Sequence, residues 1–170
     1  NQLLIMNREG TIQSRLEVAL QPRSLALSPD GKRLYITSMR ENVLTVVNAE
    51  TDQIESRAAL PVSGTFAVAV HPTSETVYLT AHDEGSVLIL DTDDLSVKAQ
   101  IDTGENPRGI AFTPDGQTAF VTNAFSNETV LIDAATNQLV GRYRSGDEPR
   151  GIVVSNPVQL AQDTSVSEVG

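Results

Sequence analysis

The chain has 170 residues, long enough for one sizeable core, and carries a formal net charge of -10 with a pI of 4.5. That charge opposes binding to nucleic acid or to an anionic membrane surface, since both are gripped by clustered Lys and Arg. With no Cys there is no disulfide framework, thiolate metal site or covalently attached haem, and no apolar run approaches the roughly 18 residues of a membrane span.

Aromatic residues make up 4% of the chain and Trp is absent, so Val, Leu, Ile and Ala must fill the interior. The opening residues, 1–8, lack a signal peptide's layout. Residues 2–6 and 11–18 read as two strands. A set of four short strands then follows, at 25–28, 33–37, 43–47 and 54–59, with Asp30-Gly31 supplying the first tight turn. The same set recurs at 68–71, 76–80, 86–90 and 97–101, where Thr73-Ser74 replaces Asp-Gly. It recurs again at 110–113, 118–122, 129–132 and 139–144, with Pro114-Asp115-Gly116 as the turn. Asp133 is placed to bond its own downstream amides as an Asx turn, and Asp91 opens the equivalent turn in the second set. Residues 151–155 read as one more isolated strand, and 158–170 as a loose extension.

The second strand of each set ends in one motif: Tyr35-Ile36-Thr37-Ser38, Tyr78-Leu79-Thr80-Ala81 and Phe120-Val121-Thr122-Asn123. Self-similarity at about 42 residues marks a repeat architecture, in which each unit buries its apolar faces on its neighbours. Four short antiparallel strands in that period make a propeller blade. The first strand of each set (Leu-Ala-Leu, Val-Ala-Val, Ile-Ala-Phe) is the most apolar and belongs nearest the axis. The fourth carries Glu55, Arg57, Lys98, Gln100, Arg142 and Arg144, as an exposed outer edge should.

The aromatic-aliphatic-Thr-small motif, with Pro-Asp-Gly upstream and Asp or Asn ending the third strand, resembles the YVTN β-propeller repeat over residues 22–157. The expected organisation is one all-β propeller unit, 1–157. Residues 1–21 end a blade, 22–64, 65–106 and 107–148 are three complete blades, and 149–157 is the first strand of another. Rings of such blades close at about seven, so the expectation is part of a larger propeller. A four-position ring and a ring of two chains are the rivals.

In an up-and-down blade the connections between blades share one end with the loops joining second and third strands. That end collects Arg23, Arg108 and Arg150, each after Pro, with Phe66 at the equivalent place in the second repeat. Its loops add Arg40, His82, Asp83, Glu84, Phe125 and Asn127. A ring of guanidinium forks suits a carboxylate or phosphate; the same forks could instead pair with Glu105, Asp147 or Glu148 and pin adjacent blades. His82-Asp83-Glu84 mixes His with carboxylates but offers too few ligands for a metal site from one loop. His71 takes the place of Ser28 and Thr113 and reads as a turn residue. Asn127-Glu128-Thr129 is a glycosylation sequon, informative only in an exported protein. No catalytic residue, metal or cofactor is called for by any motif.

Two functions follow as expectations. One is a non-enzymatic binding or scaffold module, taking a protein partner, the remainder of the propeller or a small anion on this loop end. The resemblance implies a periplasmic, extracellular or cell-surface setting. The other is part of a propeller enzyme, as similar propellers serve as lactonases or as the propeller subunit of quinoprotein amine dehydrogenases.

Overall fold

A computed structural model describes residues 1–155 and resolves them into fourteen strands arranged as four antiparallel sheets. The first is the pair β1 (Gln2–Met6) and β2 (Ile12–Glu17). The second is β3 (Pro22–Leu27), β4 (Arg33–Ser38), β5 (Val43–Asn48) and β6 (Gln53–Ala59). The third is β7 (Thr65–Val70), β8 (Thr76–Ala81), β9 (Ser86–Asp91) and β10 (Val97–Asp102). The fourth is β11 (Pro107–Phe112), β12 (Thr118–Asn123), β13 (Glu128–Asp133) and β14 (Gln138–Arg144). Strands pair in chain order within each sheet, and the sheets stay open, each with two edges. The first strands pack together, β7 lying against both β3 and β11.

Burial follows from this stacking. The third sheet is covered on both faces, so β8 and β9 are apolar at successive positions rather than alternate ones. Val77, Leu79, Leu88 and Leu90 join Tyr35, Leu44 and Val46 of the second sheet in one core. Tyr78, Val87 and Ile89 face the other way, onto Val121, Val130 and Ile132 of the fourth sheet. A smaller core joins β1 and β2 to the second sheet through Leu3, Leu16, Val18, Ile36 and Val47. The outer strands β6, β10 and β14 alternate between exposed and half-buried residues.

The turns repeat as well. Asp30 and Asp115 each accept a neighbouring hydroxyl and the amide two residues on, and these bonds hold both carboxyls below the usual range. Where the second repeat lacks Asp-Gly, His71 does the work: its Nδ1 accepts the amides of Thr73 and Ser74, and its ring packs edge-on against Phe112.

Each first strand slips register against the second, between Pro22 and Leu25, Thr65 and Val68, and Pro107 and Gly109. A bulge of this kind leaves an amide without a ladder partner. The motif threonine supplies one. Thr37 Oγ1 accepts the amide of Ser24 at 3.2 Å, Thr80 that of Ala67 at 2.8 Å, and Thr122 that of Gly109 at 2.9 Å. Thr37 also donates to the Phe66 carbonyl in the next sheet at 2.8 Å, and Thr122 to the Arg150 carbonyl at 3.4 Å.

Two expectations need correction. The first strands begin three residues earlier than their apolar cores, because the bulge carries pairing back to Pro22, Thr65 and Pro107. Residues 151–155 form no strand: Arg150 occupies the place of a next inner strand, but among the described residues no following strand offers it a ladder. Asn156, Pro157 and the expected extension 158–170 lie outside the described residues.

Replacing Thr37 by Val keeps shape and β-propensity while orphaning the Ser24 amide and the Phe66 carbonyl. Thr37→Val is expected to lower unfolding free energy by about 1–3 kcal/mol, and Thr37→Ser by clearly less. Urea denaturation of both variants measures the difference.

Candidate functional site

The candidate residues sit where the bulges are. Backbone bonds lace the loops after β4, β8 and β12 to the segments that enter β3, β7 and β11: Met39 donates to Gln21, His82 to Gly64 and Ala124 to Asn106. Both kinds of connection therefore share one end of the molecule. The turns between first and second strands meet the turns between third and fourth at the other end, through Ala49 to Lys32, Thr92 to Glu75 and Ala134 to Gln117. Gln21, Gly64, Asn106 and Glu148 all adopt positive φ, which reverses the chain into each inner segment. Arg23, Phe66 and Arg108 come two residues later, inside the strands rather than ahead of them. The adjoining amides, those of Ser24, Ala67 and Gly109, are the ones held by the motif threonines.

Three of these side chains form one cluster. The Arg23 and Arg108 guanidinium carbons lie 5.4 and 5.5 Å from the centre of the Phe66 ring, within cation–π range. Neither arginine forms a salt bridge among the described residues. Arg150 does: its Nη2 donates to Glu148 Oε2 at 2.8 Å, and both side chains are exposed. That bond, with a further pull from Arg108, holds the Glu148 carboxyl below the usual range.

The cluster continues through His82. Its ring stacks on Phe66 with centroids 6.0 Å apart and a 20° interplanar angle. Its Nδ1 meets Asp83 Oδ1 at 2.8 Å, and its Nε2 meets the Asn106 side-chain nitrogen. Asn106 Oδ1 accepts Arg108 Nε–H at 2.7 Å. Gly64 makes room for this arrangement, because a Cβ there would stand 2.6 Å from the Asp83 carboxylate. Asn106 is buried at 6% exposure and bridges histidine to arginine. Sequence reasoning passed over it. The available signal was its place ahead of Pro107-Arg108, where a positive φ favours Gly or Asn.

The cleft beside this cluster takes in further loop candidates. An open cleft of 830 Å³ between the third and fourth sheets is lined by His82, Asp83, Glu84, Glu105, Phe125 and Glu128, among others. Phe125 is 59% exposed there. Glu84 accepts the Ser63 amide, and Glu128 pairs with Arg142 at 2.6 Å. Asn127 is half-buried, with its side-chain oxygen accepting the Glu148 amide at 2.8 Å, and Arg40 stands exposed in the loop after β4. Among the described residues no group of three His, Asp or Glu side chains converges to hold a metal ion.

No protein-family model matches the chain. It is 30% identical over 90 residues to the uncharacterized protein YncE of Salmonella typhi and of Salmonella typhimurium, covering 53% of this chain and 25% of either relative. Among solved structures it is similar to Kuenenia stuttgartiensis hydrazine synthase, with a TM-score of 0.73 and 29% identity over 84% of this chain and 42% of that one. A functionally unknown protein from Desulfotomaculum acetoxidans gives 0.75 at 18% identity, covering 85% of this chain and 49% of that one. The β-propeller domain of Cps50 (Swd1) from Myceliophteria thermophila gives 0.72 at 12% identity, covering 86% and 49%. The fold is that of β-propeller proteins. The chain spans under half of each of these structures and a quarter of the curated relatives.

If Phe66 holds both guanidinium groups through its ring face, Arg23→Met and Phe66→Leu are coupled. A double-mutant cycle on unfolding free energy is expected to give about 0.5–1 kcal/mol. Strict additivity would mean the ring and the guanidinium merely lie near each other.

Proposed function

We propose that this chain is part of a larger propeller of the YVTN repeat type and serves as a non-enzymatic binding module. Its complete blades are 22–64, 65–106 and 107–148, preceded by the end of one blade at 1–21 and followed by a segment whose Arg150 carbonyl meets Thr122 as the Phe66 carbonyl meets Thr37. The shared bulges support this parse, since the register slip between β1 and β2 recurs between β5 and β6, β9 and β10, and β13 and β14. So does the similarity to about half of each propeller structure. The setting is periplasmic, extracellular or at the cell surface, as for proteins of this repeat type. The loop end takes a small anionic ligand or the acidic side chain of a protein partner.

One observation carries the anion reading: Arg23 and Arg108 flank Phe66 without a carboxylate partner among the described residues, in a chain of net charge -10. An acidic protein that leaves two guanidinium groups unpaired beside one aromatic ring has an anion-selective spot on an otherwise repelling surface. Arg150 is tied instead to Glu148, two residues away on its own segment.

The alternative, part of a propeller enzyme such as a lactonase-like hydrolase or the propeller subunit of a quinoprotein amine dehydrogenase, draws on the hydrazine synthase similarity at 29% identity. The side chains favour binding. Both nitrogens of His82 are engaged, by Asp83 and Asn106, so the imidazole offers no free base to a substrate.

Sulfate, whose charge is constant near neutrality, serves as the probe in isothermal titration. Arg108→Met and Arg23→Met are each expected to weaken its binding by about tenfold with little change in thermal stability. Unchanged binding with lowered stability in both variants would make the arginines structural pins and end the anion reading.

A further inference from the structure

The bonds among His82, Asn106 and Arg108 permit only one arrangement of hydrogens. Arg108 is a donor without acceptor capacity, so the Asn106 atom facing its Nε is the amide oxygen. The Asn106 NH2 group then points at His82 Nε2, which must accept. His82 is therefore neutral in this arrangement, with its proton on Nδ1 and donated to Asp83. A second proton on His82 would turn Nε2 into a donor facing the Asn106 NH2 group. Asn106 could answer only by turning its oxygen to the imidazolium, which presents its NH2 group to Arg108 Nε–H and breaks that bond.

We propose that His82, Asn106 and Arg108 form a proton-linked latch on the loop-end anion site: protonation of His82 and anchoring of Arg108 Nε exclude each other. The latch rests on the reading of Arg108 as an anion contact. With His82 neutral, Nε is occupied and Arg108 offers an anion only its terminal nitrogens. With His82 protonated, Nε is released and the fork of Nε and Nη2 opens to a tetrahedral or carboxylate oxyanion, while the imidazolium beside Phe66 adds a positive charge. Acid therefore strengthens anion binding, and anion binding takes up a proton.

The charged groups around His82 do not reverse this sign. Asp83, on its own loop, bonds Nδ1–H in both states. Glu84, Asp102, Glu105 and Glu128 line the cleft beside it, and Arg142 in the same cleft is paired with Glu128. Arg108 and Arg23 lie over the Phe66 ring, where a bound anion offsets their charge.

The tautomer is read first, without ligand, by two-bond nitrogen–proton NMR of the 170-residue chain at about pH 8. The expected result is opposite tautomers for the two histidines. His82 should carry its proton on Nδ1, and His71, whose Nδ1 accepts two amides, should carry it on Nε2. A wild-type His82 protonated on Nε2 overturns the latch.

Sulfate affinity at about pH 5.5 and about pH 8 tests the coupling, with an expected tightening of about tenfold in acid. His82→Gln should lose most of that factor and sets the background from overall charge. Asn106→Gly keeps the positive φ that Gly64 adopts at the same repeat position, and removes the relay. Its pH factor should fall to the His82→Gln background, whereas retention of the wild-type factor would mean simple charge attraction and no latch. Binding that needs Arg108 but ignores pH would refute the latch and leave the anion site standing. Binding that ignores Arg108 at both pH values would refute the site, and the latch as its regulator with it.

Discussion

A single side-chain hydroxyl in each repeat takes the amide that a bulge leaves without a partner. Thr37, Thr80 and Thr122 do this for Ser24, Ala67 and Gly109, and two of the three also donate to the carbonyl of the next inner segment. A buried amide left unpaired costs about 1–3 kcal/mol, comparable to a sizeable share of a domain's net stability. The bulge and the threonine are thus one device. The β-branched residue suits its strand, and its hydroxyl closes a gap that no ladder partner reaches. This explains why the motif keeps Thr while its aromatic and aliphatic positions vary.

The same device sets out the candidate site. Bulges re-aim side chains, and here the residues just ahead of the pinned amides are Arg23, Phe66 and Arg108. Small residues, Ser24, Ala67 and Gly109, follow them, and at Gly109 the reason is steric. A Cβ on Gly109 would stand 2.8 Å from both the Arg150 carbonyl and the Thr122 hydroxyl. The scaffold brings neighbouring inner segments within bonding distance, and the cation–π cluster is built across that close approach. One repeat departs from Pro-Arg to Thr-Phe, which turns a ring of like charges into an aromatic ring with guanidinium groups on either side of it in sequence order. A cleft whose charged lining residues are mostly carboxylates lies beside it, so the loop end carries both signs of charge despite the chain's net charge of -10.

Most strand centres were legible, because alternating or continuous apolar runs between Asp-Gly and Asx turns leave few choices of register. The starts of β3, β7 and β11 were not: Pro-Arg and Thr-Phe carry no strand signal, and their pairing depends on a threonine more than ten residues ahead. His71 was legible as a turn residue from its position alone, since a ring nitrogen accepts amides as Ser28 and Thr113 oxygens do. The arginines and Phe66 were legible as a repeated column with one exception. Asn106 was not, because its role depends on two partners from different parts of the chain. The inner strand expected at 151–155 misled for a related reason: an apolar run specifies a strand only where a neighbour supplies the ladder.

If the threonine hydroxyls hold the bulges shut, the amides of Ser24, Ala67 and Gly109 exchange slowly although Ser24 and Ala67 have no register partner and Gly109 sits at the edge of its bulge. Native-state hydrogen exchange of the whole chain measures them directly. The expected protection is close to that of the ladder amides of β4, β8 and β12. Exchange at loop rates for all three amides would show that the bulges are open and that the repeated threonine serves only its strand.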